Sequence, residues 1–478
     1  MTSSSLTVSE DGEKERKPDD INDLVDREEL QLEENIAGSV PMRPVPRKVG
    51  LFHPSMVRTW KNVVLGALKN YAIMVPSLIL VSSLIFGTHY DTNSKLGNLN
   101  VVMVYDTDDG GLGLLSQALL NSTSNPLASD VAGWNTYTST ELLREYPDLT
   151  SADEAAQRLV HQRKAWAAIV VAPNATSLLK QALLSNDGSF NSTNLIRAYI
   201  ETSSDPQVVG GYIIPGIMLL QDAFSVVLPV VYRGIFSTMN ATERAIVFDG
   251  DNSFDIVTMP IFFALQDNLP FLNTVVVAPL TLGMVILIIV SFFLIGFFAP
   301  YHQQVAPKLL PMHFIVYRLI IGQVSFLVLS FTFTCVCACF RVDFNVRYGQ
   351  GGFMFSFLAF YLAMSAVGLM NEVMFNIFFV TFPPGIGFWL LFWVLSNVGP
   401  TFSPIELCPE FYRYGYAMPI RNVRECLRVI LCGCWDGHLA KNFGILAAWV
   451  VFGMLMIPPS MMFAQSRMVK KAKAEAAK

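Results

Sequence analysis

Five stretches after residue 273 are apolar enough and long enough to cross a lipid bilayer as helices. A sixth, shorter stretch from about Tyr71 to Gly87 lies upstream, contains Pro76 and can be extended through Val63–Leu68. Within a bilayer a backbone must satisfy its own hydrogen bonds, which favours helices for such stretches. We therefore predict an α-helical polytopic membrane protein with six transmembrane helices. The five later spans are predicted at about Thr274–Ala299, Leu319–Phe340, Gly352–Met370, Val373–Ser396 and Phe443–Gln465.

The composition of the chain supports this class. Of its 478 residues, 52% are hydrophobic and only 15% are charged, and a soluble fold could not keep that much apolar surface from water. The net charge of −5 argues against a nucleic-acid partner. Seven cysteines are too few for a disulfide scaffold. Membrane lipids are the expected partners of such a chain.

The two ends of the chain differ in charge, and both are predicted to be cytosolic. Residues 1–50 carry twelve acidic and seven basic side chains, which predicts a disordered acidic tail over 1–55. The first 40 residues lack the apolar core of a cleavable signal peptide. Basic residues precede the first transmembrane region at 56–88, and a basic tail at 467–478 follows the last span. Positive flanks favour the cytosol, and six spans return both ends to one side.

The polar region 89–273 predicts a large extracellular or lumenal α/β domain. Its predicted strands are Leu99–Tyr105, Ala167–Val171 and Ile196–Thr202, and its predicted helices are Leu112–Leu120, Ala155–Ala165 and Ser177–Leu184. All Asn-x-Ser/Thr sequons of the chain fall in this region, at Asn121, Asn174, Asn191 and Asn240. Glycosylation requires exposure to the lumen, so these four asparagines are predicted glycosylation sites and place the domain outside.

Two segments leave the topology open. Ile213–Phe236 is apolar enough for a further span, but an ionised Asp222 at mid-membrane would cost roughly 2.5–3.5 kcal/mol. We therefore favour amphipathic helices on the domain or on the membrane surface. The segment 397–441, within a membrane domain at 274–466, is predicted as an outer loop with aromatic residues at interfacial depth. Five of its residues are Lys or Arg, among about eight on the outer flanks against about twelve on the cytosolic ones.

The chain lacks the motifs of common catalytic and cofactor sites. It has no Gly-x-x-x-x-Gly-Lys-Ser/Thr loop, no Gly-x-Ser-x-Gly elbow and no His-Glu-x-x-His pair. Asp106–Gly110 and Gly110–Gly113 are predicted turns. The thiols of Cys335, Cys337 and Cys339 point to different faces of one helix and suit packing. We expect no enzymatic activity, no cofactor and no metal.

The cysteines of the last outer loop are candidates for disulfide bonds. If that loop is lumenal, one or two disulfides can form there, with three possible full pairings. The four candidate residues are Cys408, Cys426, Cys432 and Cys434.

Polar residues inside the predicted spans mark a candidate substrate pathway. Gln323 lies in the third span, and Asn371, Glu372 and Asn376 mark a tight hairpin between the fourth and fifth spans. The fifth span is interrupted at Pro383 and Pro384. Interrupted helices often line substrate cavities because their freed backbone groups need polar surroundings. A hairpin cap and a helix kink are the alternative interpretation.

The order of these elements, together with three sequence segments, resembles a known family. The segments are Asn100–Gly110 (NVVMVYDTDDG), Lys164–Thr176 (KAWAAIVVAPNAT) and Pro404–Pro419 (PIELCPEFYRYGYAMP). With one span, a large outer domain and then five spans, the chain is similar to the fungal nitrosoguanidine-resistance proteins. These are relatives of type-two ABC permeases and of bacterial phage-infection proteins. The resemblance covers about residues 55–465.

The resemblance implies a multi-pass plasma-membrane protein linked to resistance against toxic compounds and to the distribution of phospholipids. It also implies that Pro300–Pro311 takes the place where ABC permeases dock a nucleotide-binding partner, although the chain itself carries no such domain. We expect a permease-like protein with a small toxic molecule as substrate. The alternatives are a non-transporting scaffold that regulates a transporter or flippase through a partner protein or a homo-oligomer, and a location in another secretory-pathway membrane.

Overall fold

A computed structural model describes residues 53–105, 107–108 and 111–476 of the chain. The acidic tail predicted over 1–55 therefore lies outside the described residues, apart from its last three. Three positions of the turns predicted at 106–113 lie outside them as well. The structure divides into two compact units, one that ends at Met74 and one that begins at Val75. The first unit contributes the start of the first helix, which is largely exposed. Apart from the turn at Pro54–Met56 and the start of the first helix, the elements described below belong to the second unit.

Helices dominate the described chain. The long ones are α1 Val57–Phe86, α2 Leu114–Thr123, α3 Ser139–Glu145, α4 Ala152–His161, α5 Ala175–Ser185, α6 Ile214–Ser237, α7 Ala241–Asp249, α8 Asp251–Thr258, α9 Leu282–Val305, α10 Pro311–Cys339, α11 Gly352–Thr381, α12 Gly385–Phe402, α13 Pro419–Cys432 and α14 Leu439–Ala476. Short α-helical turns are Pro206–Val208, Val277–Leu280 and Asn345–Tyr348, and Val209–Ile213 is π-helical. The 3₁₀ turns are Pro54–Met56, Gly87–His89, Asn93–Asn98, Ser192–Asn194, Thr274–Val276, Ala306–Lys308, Gly349–Gly351, Ile405–Leu407 and Glu410–Ala417.

The region after α1 folds around a five-stranded sheet in the order β4-β1-β5-β6-β7. The strands are β1 Asn100–Tyr105, β4 Gly133–Thr138, β5 Ala167–Val171, β6 Ile196–Ile200 and β7 Ala264–Asp267, and β2 Thr107–Asp108 pairs separately with β3 Gly111–Leu112. β1 is parallel to both of its neighbours, β5 and β6 are antiparallel, and β7 is parallel to β6. The predicted α/β fold of this region is therefore present.

Helices cover both faces of the sheet. Leu99, Val101 and Met103 pack on one face with residues of α2, α5 and α6, while Val102 and Val104 pack on the other with α3 and α4. This burial on both sides explains why β1 and β5 are almost continuously apolar. The sequence predicted β1, β5 and β6 and missed β4 and β7, because those two edge strands are half exposed and show no long apolar run.

The helix α6 forms from the ambiguous segment and packs on the α/β domain. Its buried side chains join the core of the sheet, its Gln221 Oε1 accepts a hydrogen bond from the Phe263 N–H at 2.9 Å, and its Tyr232 hydroxyl donates to the Ile256 carbonyl. The opposite face exposes Met218 and Val226. This arrangement fits the favoured interpretation of a helix lying on the domain.

Seven helices are long and apolar enough to cross a membrane, judged by length and composition in the described chain. They are Val57–His89, Pro206–Ser237, Thr274–Lys308, Pro311–Cys339, Asn345–Thr381, Gly385–Phe402 and Leu439–Ala476. The second of them contains α6, so the count of six spans remains a prediction that the packing of α6 supports.

The boundary predicted between the fourth and fifth spans is wrong. The helix α11 runs without interruption from Gly352 to Thr381, so Asn371 and Glu372 lie within it rather than at a hairpin. The chain reverses instead between α11 and α12, at Pro383 and Pro384. A proline disfavours the helical conformation in the residue before it and donates no N–H, so this pair ends α11. Asn371 and Glu372 impose neither restriction, so the helix continues through them.

The helix α11 is the centre of the membrane bundle and contacts α9, α10, α12, α13 and α14. Its small residues Ala359, Ala363 and Ala366 are fully buried. Such residues let helices approach closely in lipid, where dispersion contacts hold them together. At one close approach, a Cβ added to Gly453 of α14 would lie 2.6 Å from the Leu369 Cβ.

We expect Gly453→Ala to destabilise the bundle by about 1–3 kcal/mol, because the added methyl group forces α14 away from α11. Gly444→Ala is a matched control on the same helix, since nothing lies within 4 Å of an added Cβ there. It should be neutral or slightly stabilising because alanine favours helix over glycine. Unfolding by SDS titration in mixed micelles measures both, and equal losses would contradict the packing described.

Candidate functional site

The segment between α12 and α14 contains a helix with three arginines on one side. α13 begins at Pro419, whose fixed φ suits a first helical turn. It ends before Gly433, which adopts a left-handed φ of 72°. The helix carries Arg421, then Arg424 three residues later and Arg428 seven residues later. These spacings place the three side chains on one face of the helix. Arg424 and Arg428 are 5% and 3% exposed, which makes α13 an unusual place for charge.

Contacts place this segment on the same side of the membrane helices as the α/β domain. The Asn98 Nδ2 donates to the Glu406 carbonyl at 2.8 Å, and the Cys434 Sγ donates to the Ser203 carbonyl at 3.3 Å. The C-terminal end of α12 also meets the segment just after α1, where the Ser403 hydroxyl donates to the Thr88 hydroxyl at 3.2 Å. The predicted outer loop at 397–441 and the domain therefore share one side.

A chain of ion pairs joins α13 to the α/β domain. Arg428 donates to both Asp205 and Glu425, and the Arg428 Nη1 lies 2.9 Å from the Glu425 Oε1. Arg163 reaches across from the domain and places its Nη1 2.5 Å from the Glu425 Oε2. Asp205 lies in the loop that follows β6, where its carboxylate also accepts hydrogen bonds from the N–H groups of the following helical turn. The Arg424 Nη1 also lies 3.7 Å from the Asp205 Oδ2, so two carboxylates meet three arginines in a largely buried place.

The neighbouring arginines lower the pKa values of the two carboxylates by more than burial raises them. Burial raises the pKa of Asp205, but Arg428 and Arg424 lower it further than burial raises it. The pKa of Glu425 is likewise held far below its ordinary value, because Arg163 and Arg428 oppose the effect of burial. Both groups therefore remain ionised at neutral pH. The contact between α13 and the α/β domain that Asp205, Glu425, Arg163 and Arg428 form, which we call the junction, depends on their charge.

A cavity of about 480 Å³ lies against this network, between the domain, α13, the C-terminal end of α12 and the N-terminal end of α14. Its size suits a small molecule or the polar end of a larger one. Six basic residues line it against three carboxylates, so positive charge dominates. The basic residues are Arg163, Lys164, Arg421, Arg424, Arg428 and Lys441, and the carboxylates are Asp205, Glu406 and Glu425. Its aromatic lining residues are Trp166, Tyr416 and Trp435.

The arginines nearest to the membrane helices bind the end of α12. The Arg421 Nη1 donates to the Pro400 carbonyl at 3.2 Å, and its guanidinium lies 4.9 Å from the Tyr416 ring centroid. The Arg424 Nη1 donates to the Thr401 carbonyl at 2.5 Å, while the Arg424 Nε has no hydrogen-bond partner within the described chain. Carbonyls at the end of a helix need such donors, so these arginines both cap α12 and line the cavity.

The residues predicted as a substrate pathway lie elsewhere, and the polar ones among them form hydrogen bonds with residues of neighbouring helices. The Gln323 Oε1 accepts hydrogen bonds from the hydroxyls of Tyr361 and Ser365 at 2.8 and 2.9 Å. The Asn371 Nδ2 donates to the Ser291 hydroxyl, and the Asn371 Oδ1 accepts from the Trp389 indole. Asn376 donates to the Ser460 hydroxyl. Pro383 and Pro384 form the turn before α12.

Glu372 forms an ion pair inside the membrane bundle. The Arg318 Nε and Nη2 both donate to the Glu372 Oε1, at 2.9 and 2.5 Å. Both side chains are nearly buried, at 13% and 9% exposed. The sequence placed Arg318 on a cytosolic flank, but α10 begins at Pro311 and carries Arg318 about 10 Å into the bundle at 1.5 Å per residue. A cavity that is too small for a substrate adjoins the pair.

The cysteines proposed for disulfides are unpaired in this structure, and disulfide formation among them remains a prediction. Cys408, Cys426, Cys432 and Cys434 are all free and buried. Cys426 and Cys432 lie six residues apart on α13 and therefore point to different faces of the helix. Burial raises the pKa of the Cys432 thiol to about 11, which disfavours the reactive thiolate. The predicted glycosylation sites Asn121, Asn174, Asn191 and Asn240 are all exposed, and their modification remains a prediction.

Sequence reasoning missed α13 and its ion pairs. The predicted outer loop treats its arginines as surface charges. The signals of an amphipathic helix are Pro419 at its start, Gly433 after its end and the spacing that puts the arginines on one face. Asp205 gave no signal because its partner is distant in sequence. In the part of the chain that the structure describes, no three His, Cys, Asp or Glu side chains group to hold a metal ion.

Comparisons with known proteins agree with the architecture. The chain is 26% identical over 436 residues to the uncharacterized endoplasmic reticulum membrane protein YJR015W of Saccharomyces cerevisiae. The aligned region covers 89% of this chain and 85% of the yeast protein. No solved structure matches the chain. A family model described as a protein of unknown function, DUF3533, matches residues 70–455. With most of its length matched, and with its apolar helices, this membrane protein belongs to the DUF3533 family.

Proposed function

We propose that this chain is a permease-like membrane protein that takes up amphipathic compounds at the outer face of its membrane helices. Its role would be resistance to toxic compounds of the nitrosoguanidine type, the distribution of phospholipids between leaflets, or both. The resemblance to the fungal nitrosoguanidine-resistance proteins supports this role. With the α/β domain outside, the plasma membrane is the proposed location, and the endoplasmic reticulum is the alternative that the yeast relative suggests.

The cavity of about 480 Å³ beside the junction, called the junction cavity, is the observation that carries this proposal. Thr401 lies at the end of α12, and Leu439 and Ile445 lie in the first turns of α14, so the ends of two candidate spans form part of its wall. The opposite wall is formed by two polar loops of the α/β domain, one around Arg163 and one around Asp205. A compound with an apolar part and a polar end would find both environments there. A soluble substrate alone would not require the wall formed by the spans.

The alternative is a non-transporting scaffold, and one observation favours it. The polar residues within the spans bond with one another, as Gln323 does with Tyr361 and Glu372 does with Arg318. Polar groups that line a transport path usually face a water-filled cavity. In this alternative the cavity holds a regulatory lipid, and the partner is another transporter or flippase.

Reconstitution distinguishes the two functions. The purified full chain is placed in liposomes that contain fluorescent phospholipids, and dithionite reports how fast lipids move between leaflets, with and without ATP or a proton gradient. We expect lipid movement several-fold faster than in protein-free liposomes, or efflux of a trapped nitrosoguanidine-type compound under one of these conditions. Neither activity in any condition, together with unchanged drug sensitivity of a deletion strain, would leave only the scaffold.

A further inference from the structure

The charge of the junction cavity is not balanced by its own residues. Asp205 and Glu425 are taken by Arg428 and Arg163, and Lys164 lies 2.5 Å from Glu145. The remaining cations of the wall are Arg421, Arg424 and Lys441, and they face one remaining carboxylate, Glu406. Three positive charges against one negative charge leave two in excess, which is a strong bias toward an anion.

Arg424 shows that this excess has an energetic cost. Its side chain is 6% exposed, and its nearest carboxylate oxygen, on Asp205, is 3.7 Å away and already bonded to Arg428. Burial, together with the neighbouring Arg428, lowers the pKa of Arg424 to about 10. A buried charge whose nearest carboxylate is already bonded to another arginine is destabilising. An anion in the cavity would relieve this cost, so the free protein is prepared to bind one.

The donors of the wall suit a phosphate group. A guanidinium has five N–H donors. Among the described residues Arg421 and Arg424 each donate one side-chain hydrogen bond, to the Pro400 and Thr401 carbonyls. Several donors thus stay available for the planar recognition of phosphate oxygens. A phosphate monoester carries about −1.5 to −2 charges at pH 7, which matches the excess of two, whereas a diester carries one.

We propose that the junction cavity binds a phosphomonoester head group through Arg421, Arg424 and Lys441. The inference rests on the proposed function, because it names the class of amphipathic compound that the protein takes. The ends of α12 and α14 put the group at the depth of lipid head groups, and Trp166, Tyr416 and Trp435 provide the surfaces for the part of the molecule beyond the phosphate. A soluble phosphomonoester has the same head-group chemistry.

Binding of short-chain lipids to the full chain in detergent tests the proposal. The probes are dioctanoyl phosphatidic acid, dioctanoyl phosphatidylglycerol and dioctanoyl phosphatidylcholine, with glycerol 3-phosphate as the soluble probe. We expect phosphatidic acid to bind at least tenfold more tightly than phosphatidylcholine, with phosphatidylglycerol between them. If glycerol 3-phosphate binds as tightly as phosphatidic acid, the source is a soluble phosphomonoester. Equal binding of the three lipids would overturn the proposal.

Variants assign the binding to the cavity. Arg421→Gln with Lys441→Gln should weaken phosphatidic acid binding at least tenfold, and Lys441→Gln alone should weaken it about threefold without affecting folding because Lys441 is exposed. Lys180→Gln removes the same charge from α5, away from the cavity, and should leave the affinity unchanged. Unchanged affinity in the folded double variant would refute the assignment.

The same proteins separate this inference from the proposed function. If phosphatidic acid binds as expected but reconstituted protein moves no lipid or toxic compound, then the transport proposal fails and the binding site stands. If lipid moves at the same rate in the wild type and in the double variant, and phosphatidic acid does not bind preferentially, then the inference fails and the transport proposal stands.

Discussion

Asp205→Asn should destabilise the protein by about 3–5 kcal/mol, the range found when one partner of a buried ion pair is removed. The substitution keeps a side-chain oxygen for the N–H groups of Gln207 and Val208, so the cap of the following helical turn is retained. What it removes is the charge. Glu425 would then be the remaining carboxylate for Arg163, Arg424 and Arg428, in a place where two of these arginines are almost fully buried.

A double variant and a surface control make this result specific. Asp205→Asn combined with Arg428→Met removes the pair as a unit and should recover more than half of the loss, because the buried charge of Arg428 is removed and Glu425 keeps Arg163 as its partner. Asp148→Asn breaks an exposed pair with Arg158, whose side chains are 60% and 43% exposed, and should cost less than about 1 kcal/mol. Equal losses for Asp205→Asn and Asp148→Asn, measured by SDS titration, would contradict the junction described here.

The acid dependence of stability provides a second measure of the same charge. The pKa of Asp205 in the folded protein lies below its value in the unfolded chain, which is about 3.9. Its stabilising contribution is therefore fully present above that unfolded value and is lost as the pH falls through the lower folded value. Between pH 5 and pH 2 the wild type should lose more stability than Asp205→Asn, and parallel losses would contradict this assignment.

Breaking the pair within the membrane should have the second large effect. Glu372→Gln leaves Arg318 without a counter-charge in the bundle, and Arg318→Gln does the same to Glu372. On the insertion scale a lone charge costs roughly 2.5–3.5 kcal/mol at the centre of a span, which sets the upper limit for this pair. We expect Arg318→Gln to be the more harmful, because the long stem of an arginine can reach the membrane surface while the shorter glutamate cannot.

The neutral double variant tests the cause of this effect. Arg318→Gln with Glu372→Gln should be more stable than either single variant, since the two amides can still bond to each other. Arg467→Gln, near the exposed end of α14, is the matched control and should change the free energy of unfolding by less than about 0.5 kcal/mol. A double variant whose loss equals the sum of the single losses would show that the two charges do not interact.

Local patterns determined much of the architecture. Long apolar stretches predict membrane helices because a bilayer accepts few other residues, and long apolar helices lie near the predicted later spans, except that the boundary between the fourth and fifth is displaced. The apolar runs of β1 and β5 likewise predict strands that are buried on both faces. The strands β4 and β7 could not be found in this way, because their side chains are half exposed and their places depend on neighbouring strands.

Tertiary structure decided the candidate site. The sequence shows Asp205, Glu372, Arg318 and the arginines of α13 as single charges, and charge alone suggests a position at the surface or at the end of a span. Only the fold brings Asp205 to Arg428 and Arg318 to Glu372, and so makes burial of these groups tolerable. The free energy of an ion pair depends on two residues that are far apart in sequence, so neither residue alone predicts it. The free energy of transfer into a bilayer is a sum over single residues, so a stretch of sequence does predict it. For this reason the sequence by itself determined the membrane helices, and only the packed structure revealed the junction and its cavity.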